Sequence, residues 1–300
     1  MRLMFEEVRR NKIKSIMLLL LFIVIIGLLG ALAGNFWYGD MLFGLAIAVS
    51  FSIIYSIFSW FSGDKMVLNM SGARPVTKEE YPYLFHTVEG LALAAGIPTP
   101  KAYVIEDSAL NAFATGRDPE HAAVAVTTGF LESMDRQELE GVIAHEMSHI
   151  LNFDIRFMML TVVMVGIVTL LSDFILRSFG WGRGRNRSKN GGKAGALLLV
   201  VGILLAALAP IIGNLIRLAI SRGREYMADA NAAILTRYPP GLAGALRKIA
   251  GDPDPLVDKA NKATAHLFIS TPFRKETGYV AKLFSTHPPI EERIRRLEEM

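Results

Sequence analysis

The stretch Gly141-Val142-Ile143-Ala144-His145-Glu146-Met147-Ser148-His149 decides how the rest of this chain is read. It carries H-E-x-x-H inside residues 135–154, where Leu139, Val142, Ile143 and Ile150 recur at helical spacing. Asp135 can cap the start of that helix, with Glu138 completing a capping box. Each residue of a helix turns about 100°, so four residues bring the ring of His149 back over the face that holds His145. Two imidazoles on one face can share a tetrahedral zinc ion. Glu146 lies beside that face, where it can take a proton from the attacking water. Gly141, one turn earlier, would leave space for a substrate.

A catalytic zinc ion takes three protein ligands and keeps one position open. The chain has no cysteine, so the third ligand must be His, Asp or Glu, and a disulfide framework is excluded. The run Ser221-Arg222-Gly223-Arg224-Glu225-Tyr226-Met227-Ala228-Asp229 falls in a second predicted helix, residues 221–236. Glu225 and Asp229 are four apart and share a face. Glu225 can complete a set with His145 and His149, while Asp229 can accept the second N–H of a ligand histidine and so hold its tautomer and orientation. The competing reading is two carboxylates on a solvated face, answering Arg222 and Arg224. One Zn2+ per chain is the expectation.

Working outward, apolar residues make up 52% of the 300 residues, above the usual soluble average, and they are concentrated in four blocks. Residues 15–34 and 41–63 each exceed the ~18 uncharged residues that define a membrane helix, and the short linker between them makes a hairpin. Residues 194–216 are equally apolar, with Pro210 as a kink. The third block, residues 157–172, is shorter and ends at Asp173. It spans the bilayer or forms a buried core helix. Between the second and third blocks lies a polar segment with a helix at residues 83–96, strands at 101–105 and 122–128, and a short strand at 111–115. Residues 290–300 alternate Glu and Arg and read as a solvated surface helix. The resulting fold is α+β. It comprises a mainly helical zinc peptidase domain with a small β-sheet, plus four transmembrane or membrane-embedded helices. The divisions are residues 1–63, an N-terminal hairpin; 64–156, the first catalytic part; 157–216, a second hydrophobic hairpin; and 217–300, the second catalytic part.

The net charge of +4 is no nucleic-acid signal, because the basic residues cluster beside apolar blocks where lipid phosphates are the nearer partners. Arg2, Arg9, Arg10, Lys12 and Lys14 precede the first block, the 35–40 linker has no Lys or Arg, and Lys65, Arg74 and Lys78 follow the second. The positive-inside rule therefore puts residues 64–156 in the cytoplasm of a multi-pass cell-membrane protein. The loop after the third block, with Arg177, Arg183, Arg185, Arg187, Lys189 and Lys193, breaks that rule if it is translocated. The second hairpin either spans, with the first hairpin setting the topology, or dips into the inner leaflet with its loop on anionic lipid. His149 and Glu225 flank it and must lie on one side.

Other residues carry weaker signals. His287 precedes two prolines, which can present it rigidly as a donor to the oxyanion of a tetrahedral intermediate; the alternative is a turn histidine packing the C-terminal helix. Asn111, Ala112 and Phe113 begin a candidate edge strand that could bind an extended peptide by strand addition; the alternative is an ordinary exposed loop. His86, His121 and His266 read as structural or surface residues, and Asp173 and Trp181 as an interface cap and an aromatic anchor.

Residues 145–149 followed by Ser221-Arg-x-x-Glu225-Tyr-x-Ala-Asp229 resemble the HtpX heat-shock membrane proteases, relatives of the prenylated-protein endoproteases in the Glu-zincin class. The likeness takes in the N-terminal hairpin, Asn111-Ala-Phe-Ala-Thr-Gly, the hydrophobic segments between the ligands, and Thr286-His287-Pro-Pro. It implies zinc-dependent endoproteolysis of misfolded or membrane-associated proteins in membrane quality control, with protein or peptide substrates. A metal-binding scaffold without activity, or a hydrolase of something other than peptide, are the alternatives. Nothing in the sequence sets the oligomeric state.

Overall fold

The computed structural model describes residues 2–181, 222–252, 267, 269 and 288–300. It is mainly helical with one small mixed sheet. Helices α1 (Arg2–Tyr38) and α2 (Met41–Met70) form the N-terminal hairpin. Its turn is held by Asp40, whose carboxylate accepts from the N–H groups of Leu42 and Phe43 at 2.9 and 3.1 Å. The two backbones touch because small residues face one another: a Cβ on Gly34 would stand 2.5 Å from the Cα of Gly44. Ile16, Leu20, Val24 and Leu28 on α1 and Leu42, Ile54 and Ile57 on α2 point outward and exposed. Apolar surface that continuous belongs in lipid. Segments Glu6–Asn35 and Met41–Met70 are each long and apolar enough to cross a membrane.

The sheet comprises β1 (Ala73–Pro75), β2 (Lys101–Ile105), β3 (Ala112–Gly116) and β4 (Ala122–Thr127), ordered β1-β2-β4-β3. Strands β2 and β4 are parallel and the outer pairs antiparallel, with Phe113 opposite Ala125. This sheet separates two cores. On one face Val104, Val124 and Val126 pack with α3 (Pro82–Ala95), α5 (Arg136–Leu151) and the helices that follow. On the other, Ile105, Phe113, Ala123 and Ala125 pack with the membrane hairpin and α6 (Asp154–Trp181). Cover on both faces explains why β4 reads Ala-Ala-Val-Ala-Val-Thr, with no polar alternation.

Helix α4 (Thr128–Ser133) leads into α5, and the expected capping box forms: Glu138 N–H donates to Asp135 at 2.9 Å and Asp135 N–H to Glu138 at 2.8 Å. Helices α7 (Arg222–Thr236), α8 (Pro239–Gly251) and α9 (Ile290–Glu298) close the catalytic side. Gly141 serves this packing and does not open room for substrate. A Cβ there would lie 2.5 Å from the backbone nitrogen of Leu242 on α8. Helix α9 is likewise more than a solvated tail, since Arg293 and Leu297 are buried while Arg295 and Arg296 pair with Glu292 on the outside.

The third apolar block begins at a corner where α5 and α6 meet at 83°. Phe153 makes that corner with φ of 58°, a backbone conformation a bulky side chain rarely adopts. Phe157, Met159, Leu160, Val162 and Val163 are enclosed by protein. Of the four expected membrane helices, two qualify alone among the described residues; α5 joined to residues 154–167 would count only as a bent pair. The fourth block, the basic residues from Arg183 to Lys193, His266 and His287 lie outside the described residues, as do the side chains of Asp173 and Trp181.

Candidate metal centre

Helix α5 brings His145, Glu146 and His149 to one buried place, and α7 lays Glu225 and Asp229 over them. The Nε2 atoms of the two histidines stand 3.2 Å apart. Glu225 reaches both, with Oε2 3.7 Å from His145 Nε2 and Oε1 3.7 Å from His149 Nε2. The three side chains each offer a ligand atom within 4.8 Å of the others. Donors bound at ~2.0–2.2 Å around one tetrahedral zinc ion lie roughly 3.3–3.5 Å from each other, so this set fits such an ion closely.

The fit extends to the far sides of the rings. Asp229 Oδ1 is 2.9 Å from His145 Nδ1, and Asp154 Oδ2 is 3.1 Å from His149 Nδ1. A carboxylate behind each imidazole keeps a proton on Nδ1 and leaves Nε2 as the donor atom. Asp229 is also gripped by Arg293 of α9. Burial opposes its charge, but the guanidinium and the His145 ring outweigh that and hold its pKa down at about 2.

Glu146 is buried beside the cluster, and burial pushes its carboxyl pKa up; the two histidines oppose this, and Glu225 reinforces it. The backbone N–H of Ala114 on β3 is hydrogen-bonded to it and favours the charged form. Strand β3 is the sheet edge. Its first carbonyl, that of Ala112, accepts from Ile269 N–H at 3.0 Å. Asn111 and Phe113 face inward: the Asn111 carbonyl accepts from Thr127 N–H, and the Phe113 ring is fully buried behind the sheet. The backbones of Asn111 and Phe113 are turned toward β4, and it is the alternate residues, Ala112 and Ala114, whose backbone groups face the open edge.

Sequence reasoning gave no part in this site to Asp154 or Arg293. Asp154 was the more accessible of the two, five residues beyond His149 and just past the helix end. Arg293 was hidden in a charge pattern that reads as solvated. His86 and His121 are surface residues, near Glu89 and Asp118 respectively.

Two helix-borne histidines and a glutamate, backed by carboxylates and overlooked by an edge strand, form a cluster with the donor set a metallopeptidase requires. The chain belongs to peptidase family M48, whose match covers residues 78–300, and it is a metalloprotease, a hydrolase of peptide bonds. It is 47% identical over 297 residues to the Protease HtpX homolog of Dictyoglomus thermophilum, covering 99% of this chain and 94% of that one. The Protease HtpX homolog of Thermoanaerobacter pseudethanolicus is 48% identical over 284 residues, covering 93% of each chain. That of Streptococcus gordonii is 43% identical over 301 residues, covering 99% and 100%. The crystal structure of S. mikatae Ste24p matches with a TM-score of 0.48 at 20% identity, covering 97% of this chain and 66% of that one.

Proposed function

We propose that this protein is a membrane-anchored zinc endopeptidase that cleaves misfolded or membrane-associated proteins as part of membrane protein quality control. The observation that carries this reading is the convergence of His145, His149 and Glu225 within 4.8 Å of one another, with a buried Glu146 alongside. His145, His149 and Glu225 hold one zinc ion, and Asp229 orients the ring of His145. Zinc bound there supplies Lewis acidity to the water and to the scissile carbonyl.

The remaining chemistry belongs to the side chains. Glu146 accepts the proton of the attacking water on a carboxylate oxygen and delivers it to the leaving amide nitrogen. His287 is assigned, from its place before Pro288 and Pro289, to hydrogen-bond the oxyanion. A substrate strand lies along β3, in the stretch that begins at Asn111, Ala112 and Phe113, and pairs with edge-facing backbone beyond the Ala112 carbonyl, which Ile269 N–H occupies; backbone pairing tolerates many sequences. The edge position of β3 supports this.

The hairpin of residues 1–63 anchors the chain in the cell membrane, residues 64–156 and 217–300 form the catalytic domain on the cytoplasmic side, and residues 157–216 form the second hydrophobic hairpin. Two helices able to cross a membrane and the basic flank before the first support the orientation. The test is proteolysis of an unfolded protein by the purified chain with zinc and after its removal. Equal cleavage in both states would overturn the zinc assignment.

A further inference from the structure

Behind His149, the metal centre is built partly from the first membrane helix. Asp154 uses Oδ2 for the histidine and Oδ1 for two other partners. Arg224 Nε of α7 lies 2.8 Å from that oxygen, and Asn11 Nδ2 of α1 donates to it at 2.5 Å. The same Asn11 amide donates to the carbonyl of Asn152 at 2.9 Å, and Asn11 Oδ1 accepts from Arg224 Nη2 at 3.0 Å. Asn11 and Asp154 are 0% exposed and Arg224 is 4%. Both ends of the Asn11 side chain are thus committed to groups around His149. The next residue, Lys12, sets its ammonium 4.4 Å from the centre of the Phe153 ring, at the corner that brings Asp154 back under the histidine.

We infer that Asn11 is a positioning residue for the metal ligand His149, acting through Asp154, so that α1 is a working part of the metal centre as well as an anchor. This rests on the zinc-site reading above. A carboxylate can orient a ligand ring only if it is itself held, because the terminal torsion of an aspartate is soft. Arg224 supplies charge to Asp154 through a long side chain. Asn11 supplies a short arm from a helix that cannot shift without moving it. An amide buried in an apolar helix is costly unless its hydrogen bonds are made, and here they are all made at one place. Sliding or tilting α1 would rotate Asp154 and turn the His149 ring away from its partners, so metal binding and the seating of the membrane helix are coupled.

The full chain in detergent micelles is the material for the test. Asn11→Ala and Asn11→Asp remove the donated bonds, Asn11→Gln keeps an amide, and Phe22→Ala loosens α1 at a buried position away from the polar cluster. Three quantities are read: zinc affinity by chelator competition, the visible absorption of the cobalt-loaded protein, which reports ligand geometry, and the unfolding temperature of the metal-free protein. Asn11→Ala and Asn11→Asp should each weaken zinc binding by about 10–100-fold and shift the cobalt bands, with Asn11→Gln recovering part of both. Phe22→Ala should lower the unfolding temperature and leave affinity and bands alone. If the Asn11 variants melt lower but keep wild-type affinity and cobalt bands, Asn11 only anchors the helix and the inference is wrong. If Asn11→Ala or Asn11→Asp fails to fold, Asn11→Gln carries the test alone: wild-type affinity and unshifted bands in it, with a lowered unfolding temperature, would overturn the inference in the same way. Zinc retained in full by His149→Ala would instead overturn the metal-site reading itself.

Discussion

Arg293 grips Asp229 through two bonds, Nε to Oδ2 at 2.9 Å and Nη2 to Oδ1 at 2.7 Å, while that same Oδ1 faces His145 Nδ1 at 2.9 Å. One carboxylate thereby joins α5, α7 and α9, three helices far apart in the chain. All three groups are buried, so the charges compensate one another and water does little of it. Removing a single partner is therefore more damaging than the worth of any one bond.

Arg293→Leu leaves the buried Asp229 charge with only the His145 ring beside it and should destabilise the metal-free protein by about 3–5 kcal/mol, read by urea unfolding in micelles. The pKa of Asp229, held at about 2, sets the pH dependence. Stability from a depressed carboxylate is present above its unfolded pKa of roughly 3.9 and is lost as pH falls through the folded value. The gap between Arg293→Leu and wild type should therefore narrow in that acid window. A gap of under about 1 kcal/mol at neutral pH would mean the pair is not isolated from water.

His145→Ala, His149→Ala and Glu225→Ala should each lose zinc, since a catalytic site rests on three protein ligands. Metal analysis of the purified variants is the measurement. Stoichiometric zinc in Glu225→Ala would require a different third ligand.

Glu146→Gln should keep its metal and lose proteolysis, because an amide cannot take the proton of the attacking water. The expected drop is about 10²–10⁴-fold in turnover. Near wild-type cleavage by this variant would assign the base elsewhere. For His287→Ala the expectation is a fall of about 10²–10³-fold with zinc content unchanged; a loss confined to thermal stability would favour the turn reading.

Zinc binding should weaken in acid. Burial disfavours a charged His149, but the hydrogen bond to Asp154 and the charges of Glu225, Asp154 and Glu146 outweigh it and raise the pKa to about 9. Below that value zinc must displace a proton, so affinity should fall with pH by up to about tenfold per unit for one proton. In the metal-free protein the sign is opposite. The stabilisation from protonated His149 is complete below its unfolded pKa of roughly 6.5 and disappears as pH rises through the folded value. Chelator competition between about pH 6 and pH 8 decides the first point, and a flat profile would contradict it.

Single cysteines test the topology, since the chain has no native thiol. Tyr38→Cys, at the exposed end of α1, should react with a membrane-impermeant maleimide in intact cells. Lys78→Cys should react only after lysis. The reverse pattern would put the catalytic domain outside. Ser188→Cys reads the second hairpin: labelling in intact cells indicates a full span, and labelling only after lysis indicates a re-entrant one.

Local spacing made much of this site legible. His145, Glu146 and His149 share a face by the pitch of one helix, as do Glu225 and Asp229, and Asp135 with Glu138 announce where α5 starts. The apolar blocks at residues 15–34 and 41–63 declare a membrane hairpin by length alone. What the chain order could not disclose is which distant groups meet. Asn11, Asp154, Arg224 and Arg293 look like ordinary polar residues until α1, the α5–α6 corner, α7 and α9 come together around two histidines. Gly141 reads as space for a substrate until α8 is placed against it. The third block is apolar whether lipid or protein covers it, because hydrophobicity records only exclusion from water. Pitch and length act between near neighbours and can be read along the chain. The choice of covering surface and of buried ionic partner is made by contacts between segments far apart in sequence, and only the tertiary structure decides it.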